Sequence, residues 1–99
     1  MQIVRTSFSS KKIAQKFAKE AIEKKFAACA FYCKIYSCYN WEGKLCNGGE
    51  WLLELKCKSA KNAIKWLEKA HPYACPMIYS LKPDFTSKKY EKWANKNSK

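Results

Sequence analysis

The fold is decided by two stretches near the middle of the chain, YNWEGK at residues 39–44 and EWLLELK at residues 50–56. Successive side chains of a β-strand point to opposite faces of its sheet. In the second stretch Trp51, Leu53 and Leu55 alternate mostly with charged residues, which is typical of a half-buried strand. Glycine adopts the positive φ of a tight turn at low cost, so residues 42–44 are predicted to be the turn of a long β-hairpin.

The strand that leads into this turn, residues 29–41, has one apolar face and one mixed face. The apolar face holds Cys29, Phe31, Cys33, Ile35, Ser37, Tyr39 and Trp41. We expect Cys29 and Cys33 to share the buried face of the hairpin with Cys57. We also expect a bulge or a kink at residues 47–49, where Gly48 and Gly49 are poor strand residues. A strand of this length in so small a protein extends beyond its own sheet, and its free edge invites pairing with another chain.

The composition indicates one intracellular globular domain. The 99 residues are predicted to form a single domain, 1–99, with a usable core. No apolar run approaches the roughly 18 residues that cross a bilayer, and residues 1–8 do not resemble the apolar segment of a signal peptide. We therefore expect a cytoplasmic protein with no membrane partner. Its six cysteines contain no Cys-x-x-Cys pair and are expected to be thiols that mostly fill the core.

The net charge of +12 raises the question of a nucleic-acid partner. All but one of the basic residues are lysines, the exception being Arg5, and they are scattered along the chain. Specific nucleic-acid sites favour arginine. The predicted third strand also carries Glu50 and Glu54 where an RNA-recognition domain would carry a basic, aromatic motif. We therefore expect no nucleic-acid partner.

The remaining signals predict the element order β, α, β, β, α, β. Residues 2–8 form a strand, residues 11–25 an amphipathic helix capped by Ser9 or Ser10, and a second helix follows Ser59 and ends before Pro72. The last strand spans residues 77–81. This order is typical of the α+β, ferredoxin-like βαββαβ sandwich, with a four-stranded antiparallel sheet and two helices on one face. A short C-terminal helix follows, and residues 95–99 are expected to fray.

The sequence contains no recognisable catalytic constellation. His71 is the only histidine, and no serine or cysteine lies in a nucleophile motif. Residues 6–10, after the first strand, contain neither glycine nor arginine and so lack the phosphate-binding loop of an acylphosphatase. The eight carboxylates show no obvious pairing for acid–base chemistry. We therefore predict no catalytic residues and no enzymatic activity.

Four blocks of sequence resemble the signature blocks of the CutA family, the divalent-cation tolerance proteins. The blocks are residues 26–29 (FAAC), 39–44, 50–56 and 71–76 (HPYACP), and the terminal Tyr90-x-x-Trp93 is similar to the family's tail. Their order and spacing fit over nearly the whole chain. The resemblance implies a ferredoxin-like subunit of a homotrimer, in which long hairpins of neighbouring chains pair edge to edge around a three-fold axis. It also implies a link with tolerance of divalent metals, notably copper.

The resemblance also implies candidate site residues. His71 matches a histidine proposed as a copper ligand, and copper(II) favours imidazole. The alternative is that His71 caps the end of the second helix. Family positions that line the clefts between subunits match Trp41, Glu50, Lys56 and Tyr73, and Lys56 is expected to pair with Glu50 or to form a solvated pair of little energetic value.

Three departures from the family pattern bear on the metal. Relatives carry histidine, cysteine and an acidic residue where this chain has Ala70, Thr6 and Met77. The prediction is therefore a homotrimeric protein of copper or other divalent-cation tolerance that binds the metal weakly or acts as a regulator. One alternative is a signalling trimer that binds a small anionic metabolite or a nucleotide in its clefts. A purely structural or partner-binding trimer is the third possibility.

Overall fold

The computed structural model describes all residues from Met1 to Lys99 and contains four strands and three helices. The elements are β1 (Gln2–Phe8), α1 (Lys11–Glu23), β2 (Cys29–Trp41), β3 (Lys44–Cys57), α2 (Ala60–Ala70), β4 (Ile78–Leu81) and α3 (Lys88–Lys96). The strands form one antiparallel sheet in the order β2-β3-β1-β4. The predicted ferredoxin-like α+β fold is confirmed.

The core lies between the sheet and helices α1 and α2. Its largest fully buried apolar side chains are Phe8, Leu53, Leu55, Leu67 and Val4. Small alanines of α1 and α2 let both helices approach the sheet closely, and Phe17 of α1 stacks on Phe8 with ring centroids 4.5 Å apart. The side of the sheet that faces these helices is called the helix face below, and the opposite side is called the open face.

The turn of the hairpin has two residues, Glu42 and Gly43, rather than the three predicted. Both have positive φ, 51° and 78°, and the strands pair Trp41 with Lys44 directly across them. Two positive φ values are typical of a type I′ turn, whose twist matches that of a two-stranded ribbon. The turn therefore fixes the register of every pair down the hairpin.

This register shows that the prediction of which side of β2 faces the core is wrong. Leu53 pairs with Tyr32 and Leu55 with Ala30, so the mixed side of β2 lies on the helix face, while Cys29 pairs with Lys56 on the open face. A turn longer by one residue would have placed the apolar side of β2 over the core, since a shift of one residue exchanges the two faces. Cys57 is buried as predicted, and burial raises the pKa of its thiol to about 11. Cys33 is exposed and Cys29 only half-buried.

The predicted bulge at residues 47–49 is absent, because the register continues without interruption through Ser37–Gly48 and Tyr36–Gly49. Gly49 instead makes room for the side chain of Lys34. A Cβ atom at Gly49 would lie 2.6 Å from Lys34 Cε. The Lys34 ammonium lies 5.8 Å from the centroid of the Trp51 ring, so this lysine covers an aromatic side chain that packs at the edge of the core.

The helix ends differ in part from the prediction. Ser10 caps α1 by accepting a hydrogen bond from the Ile13 amide at 3.2 Å, and α1 ends at Glu23, two residues early. Ser59 makes no capping bond, and Gln2 Oε1 accepts from the Ala60 amide at 2.7 Å instead.

The predicted fraying of residues 95–99 is also wrong, because this segment is tied to the body of the protein. Ser98 Oγ accepts from the Lys58 amide at 2.9 Å and donates to the Ala94 carbonyl at 2.7 Å. The Lys99 amide donates to the Lys25 carbonyl at 2.9 Å. These bonds hold the segment that follows α3 against the turn after α1 and the end of β3.

The backbone conformation of the turn predicts opposite effects of one substitution at two glycines. Gly43 and Gly48 both have open space where a Cβ would lie, but only Gly43 has a positive φ. Gly43→Ala should therefore lower the free energy of unfolding by about 1 kcal/mol, whereas Gly48→Ala should be neutral or slightly stabilising. Denaturant titrations at one protein concentration measure both, and equal losses would contradict the proposed role of the turn.

Candidate functional site

A cavity of about 530 Å³ opens on the open face of the sheet, near the base of the overhanging hairpin. Strands β1, β2 and β3 and the segment between α2 and β4 contribute its walls. The lining residues are Ser7, Ser37, Tyr39, Trp41, Glu50, Tyr73, Ala74, Cys75 and Met77. Glu50 is the only residue among them with a formal charge, although the chain as a whole carries +12. The cavity is therefore an apolar site with one anionic group.

Three hydroxyl groups hold the Glu50 carboxylate. Ser7 Oγ donates to Oε1 at 3.0 Å and the Tyr73 hydroxyl donates to the same oxygen at 3.3 Å. The Ser37 hydroxyl donates to Oε2. Burial, followed by the negative charge of Glu50, raises the pKa of Tyr73, so its hydroxyl stays protonated as a donor. Three donors from three different segments fix the orientation of the carboxylate.

His71 lies behind this arrangement, buried and stacked on Phe8 with ring centroids 4.5 Å apart. Its Nε2 lies 2.9 Å from the Ser7 carbonyl oxygen, which can only accept, so Nε2 carries the hydrogen. Its Nδ1 accepts a hydrogen bond from the Tyr73 amide at 3.2 Å. These two bonds define a neutral imidazole, and burial lowers its pKa despite the opposing effect of the Ser7 carbonyl.

The bonds of His71 connect it to the Glu50 site. It binds the backbones of Ser7 and Tyr73, whose hydroxyl groups both donate to Glu50 Oε1. His71 also ends α2, since its own amide donates to the Leu67 carbonyl at 2.8 Å. The histidine therefore joins the end of β1 to the segment after α2 and positions two of the three donors. Neither ring nitrogen is free for a metal unless one of these hydrogen bonds breaks.

Lys56 lies outside the cavity and does not pair with Glu50. Six residues separate the two along β3, a distance of about 20 Å at the usual rise of a strand. Lys56 and Arg5 instead both bind Glu54, with Arg5 Nε 2.7 Å from Oε1. Burial alone would raise the pKa of Glu54, but the hydrogen bonds from Lys56 and Arg5 lower it overall. The Lys56 ammonium also lies 3.3 Å from the centroid of the Phe31 ring.

The structure thus brings together three of the four predicted cleft residues, Trp41, Glu50 and Tyr73. Sequence analysis missed Ser7 and Ser37, which complete the ring of donors around Glu50. The alternation along β2 places Ser37 on the same side as Tyr39 and Trp41, and this spacing is the only sequence signal that marked it. No group of three His, Cys, Asp or Glu side chains is placed to hold a metal ion, and no helix is long and apolar enough to span a membrane.

The fold and the cavity define a class: a small ferredoxin-like protein with a long overhanging hairpin and, beside it, an apolar pocket that contains one carboxylate. The family model described as CutA1 divalent ion tolerance protein matches residues 2–97. The divalent-cation tolerance protein CutA of Thermotoga maritima is 30% identical over 95 residues, which cover 94% of each chain. The chain therefore belongs to the CutA family.

Solved structures agree with this assignment. CutA1 from Pyrococcus horikoshii superimposes with a TM-score of 0.93 at 29% identity, covering 100% of this chain and 99% of that one. A CutA from Archaeoglobus fulgidus, described as a periplasmic divalent cation tolerance protein, gives a TM-score of 0.92 at 26% identity over 98% of both chains. The predicted family is confirmed, and its proteins are described by tolerance of divalent ions rather than by an enzymatic reaction.

The neutral state of His71 predicts a loss of stability in mild acid. Its folded pKa lies below the ordinary value of 6.5, so below that pH the unfolded chain binds a proton that the folded chain resists. The contribution of His71 to the free energy of unfolding should fall as the pH drops below 6.5. It should become constant once the pH lies below the pKa of His71 in the folded protein. His71→Gln keeps a donor for the Ser7 carbonyl and should remove this component, as measured by denaturant titrations from pH 8 to pH 5. Parallel pH profiles for the two proteins would contradict the assignment.

Proposed function

We propose that the protein is a cytoplasmic, homotrimeric divalent-cation tolerance protein that binds copper or another divalent cation weakly and catalyses no reaction. The proposal includes neither a nucleic-acid partner nor a membrane partner. The observation that carries the assembly is the apolar open face of the sheet. The proposal of metal binding rests on the family to which the chain belongs.

Large apolar side chains on the open face are too exposed for an isolated chain. Phe31, Tyr39 and Trp41 of β2 are 45%, 51% and 45% exposed, and Tyr79 and Leu81 of β4 are 39% and 43% exposed. Together with Met77 at 40%, they lie on the side of the sheet that α1 and α2 leave open, with the ion pair of Arg5 and Glu54 between Phe31 and Tyr79. Several large apolar side chains exposed on one face mark a protein–protein contact. A second copy of the same chain is the occupant that the family resemblance implies.

The hairpin supplies edges for the same assembly. β1 pairs with β3 only from Trp51 to Cys57, so residues 44–50 of β3 have no strand on the side away from β2. The outer edge of β2 is free along its whole length, since β2 is the first strand of the sheet. Free edges pair readily with other strands. Closed three-fold pairing of hairpins would use these edges and cover the apolar open face at once.

Copper enters the proposal through His71, the residue that matches the family's histidine. Binding at Nδ1 would require the ring to give up the hydrogen bond from the Tyr73 amide. This exchange offsets part of the metal–imidazole bond, so we expect weak affinity. The alternative ligand, a small anion or a nucleotide, is disfavoured in the cavity because its only charged lining group is the Glu50 carboxylate.

The proposed assembly makes a prediction for native mass spectrometry. The unmodified protein should appear as a trimer, and Phe31→Glu should shift it to smaller species. The new carboxylate would lie beside Lys56 and opposite Glu54 on an exposed side chain, whereas a covered interface would bury its charge at a cost of several kcal/mol. Phe85→Glu is the matched control because Phe85 is 95% exposed, and it should remain trimeric. A monomeric parent protein would refute the assembly.

Copper binding is tested separately by titrating the protein with copper(II) and counting bound ions in the native spectrum. We expect substoichiometric uptake at micromolar copper that rises toward one ion per chain as the copper concentration increases. His71→Gln should abolish it, while Cys33→Ser, on the open face outside the cavity, should leave it unchanged. Saturable binding that survives the loss of His71 would remove this residue as the ligand.

A further inference from the structure

The outer sides of α1 and α2 form one basic surface. The alanines and large apolar side chains of both helices face the sheet, so the exposed lysines opposite them point away from it. Trp66 of α2 lies against Phe17 of α1, with ring centroids 5.6 Å apart, so the two helices lie side by side. The lysines on these outer sides, which we call the basic helix surface, are Lys12, Lys16, Lys19, Lys61, Lys65 and Lys69.

The charge of the basic helix surface is not balanced within the chain. None of its lysines forms an ion pair, whereas Lys24 and Lys56, which lie elsewhere, each pair with a glutamate. Besides Glu20, which is bound by Lys24, the two helices carry only Glu23 and Glu68 as acidic residues. A surface with this excess of ammonium groups attracts anionic partners.

The same lysines weaken the helices that carry them. Neither helix has an acidic residue in its first turn, where a carboxylate would stabilise the positive end of the helix dipole, and Lys12 and Lys61 lie there instead. Lysines four residues apart also repel each other, as Lys65 repels both Lys61 and Lys69. Positions that break a local stability rule without a gain inside the chain indicate a contact outside it.

The basic helix surface stays accessible in the proposed assembly. It lies on the outer sides of the helices that cover the helix face, whereas the proposed contacts between copies use the open face and the edges of the hairpin. A partner of this surface therefore meets the same residues in the single chain and in the trimer, which would display three copies of them.

The spacing of the lysines favours an extended acidic peptide as the partner. Residues four apart on a helix are separated by about 6 Å along its axis. Alternate side chains of an extended peptide point the same way and repeat at about 6.6 Å. A segment with Asp or Glu at alternate positions therefore presents one carboxylate to each of Lys61, Lys65 and Lys69. Lysine satisfies such carboxylates as a point charge, whereas specific nucleic-acid sites favour arginine.

We propose that the basic helix surface binds an acidic, extended segment of another protein, with carboxylates on alternate residues opposite the lysines of α1 and α2. The contacts are ion pairs at an exposed surface, so the affinity should be modest and should fall as the salt concentration rises. They involve neither His71 nor the cavity of the open face. The proposal therefore goes beyond the proposed response to divalent cations and does not depend on a metal.

The test follows the fluorescence anisotropy of a labelled peptide of about five Glu-Ser repeats, which is longer than α2 at the usual rise of an extended chain. The full chain is added at about 0.1 M salt, where exposed charges more than about 10 Å apart are screened from each other. We expect saturable binding of this peptide, loss of binding at about 1 M salt, and no binding of the matched Gln-Ser peptide. A single-stranded RNA of equal charge should bind more weakly. RNA that binds as tightly as the peptide would overturn the assignment of the partner.

Two triple variants locate the site. Lys61→Gln, Lys65→Gln and Lys69→Gln together should weaken peptide binding about tenfold, since three exposed ion pairs are lost. The matched control removes three exposed lysines at the same spacing from α3, and its affinity should change by less than about twofold because these charges lie outside the surface. The control substitutions are Lys88→Gln, Lys92→Gln and Lys96→Gln.

Both variants should keep the circular dichroism of the parent protein, because each change removes repulsion between neighbouring lysines of one helix. Equal losses of affinity in the two variants would show that net charge alone attracts the peptide, and would overturn the proposed site. Absence of binding by the parent protein would overturn the proposal without reference to a variant.

Discussion

The two-residue turn at Glu42 and Gly43 is the constraint on which the rest of the structure depends. Its positive φ values pair Trp41 with Lys44 and so determine which side of β2 faces the helices. The result places Phe31, which is 45% exposed, on the side of the sheet that α1 and α2 leave open. The turn therefore leaves core-like residues exposed on the open face, where the proposed trimer would cover them.

The element order followed from the sequence because it depends on local signals. Apolar periodicity, the Ser10 cap and Pro72 placed the helices, and alternation in β3 identified the strand that faces the core. The register did not follow, since it depends on whether a non-glycine residue, Glu42, adopts a left-handed conformation. That choice adds or removes one residue from the turn, and composition alone does not distinguish the two.

The candidate site was predicted in part for the same reason. Trp41, Glu50 and Tyr73 came from the family resemblance, which preserves positions without giving contacts. Ser7 and Ser37 were missed because a single serine carries no signal until its neighbours across the sheet are known. His71 acts on the site through the Ser7 carbonyl and the Tyr73 amide, and these contacts join segments 64 residues apart in sequence. The pocket is thus a product of the tertiary fold rather than of a local motif.

The most direct test of the account is the alkylation of native protein, with the modified cysteines identified by peptide mass. Cys33 and Cys38 are both exposed in the single chain and lie on opposite faces of β2. If copies of the chain cover the open face, Cys33 should be protected while Cys38 reacts. Reaction of Cys33 as fast as Cys38 would show that the open face is free, and would contradict the claim that the turn creates an interface.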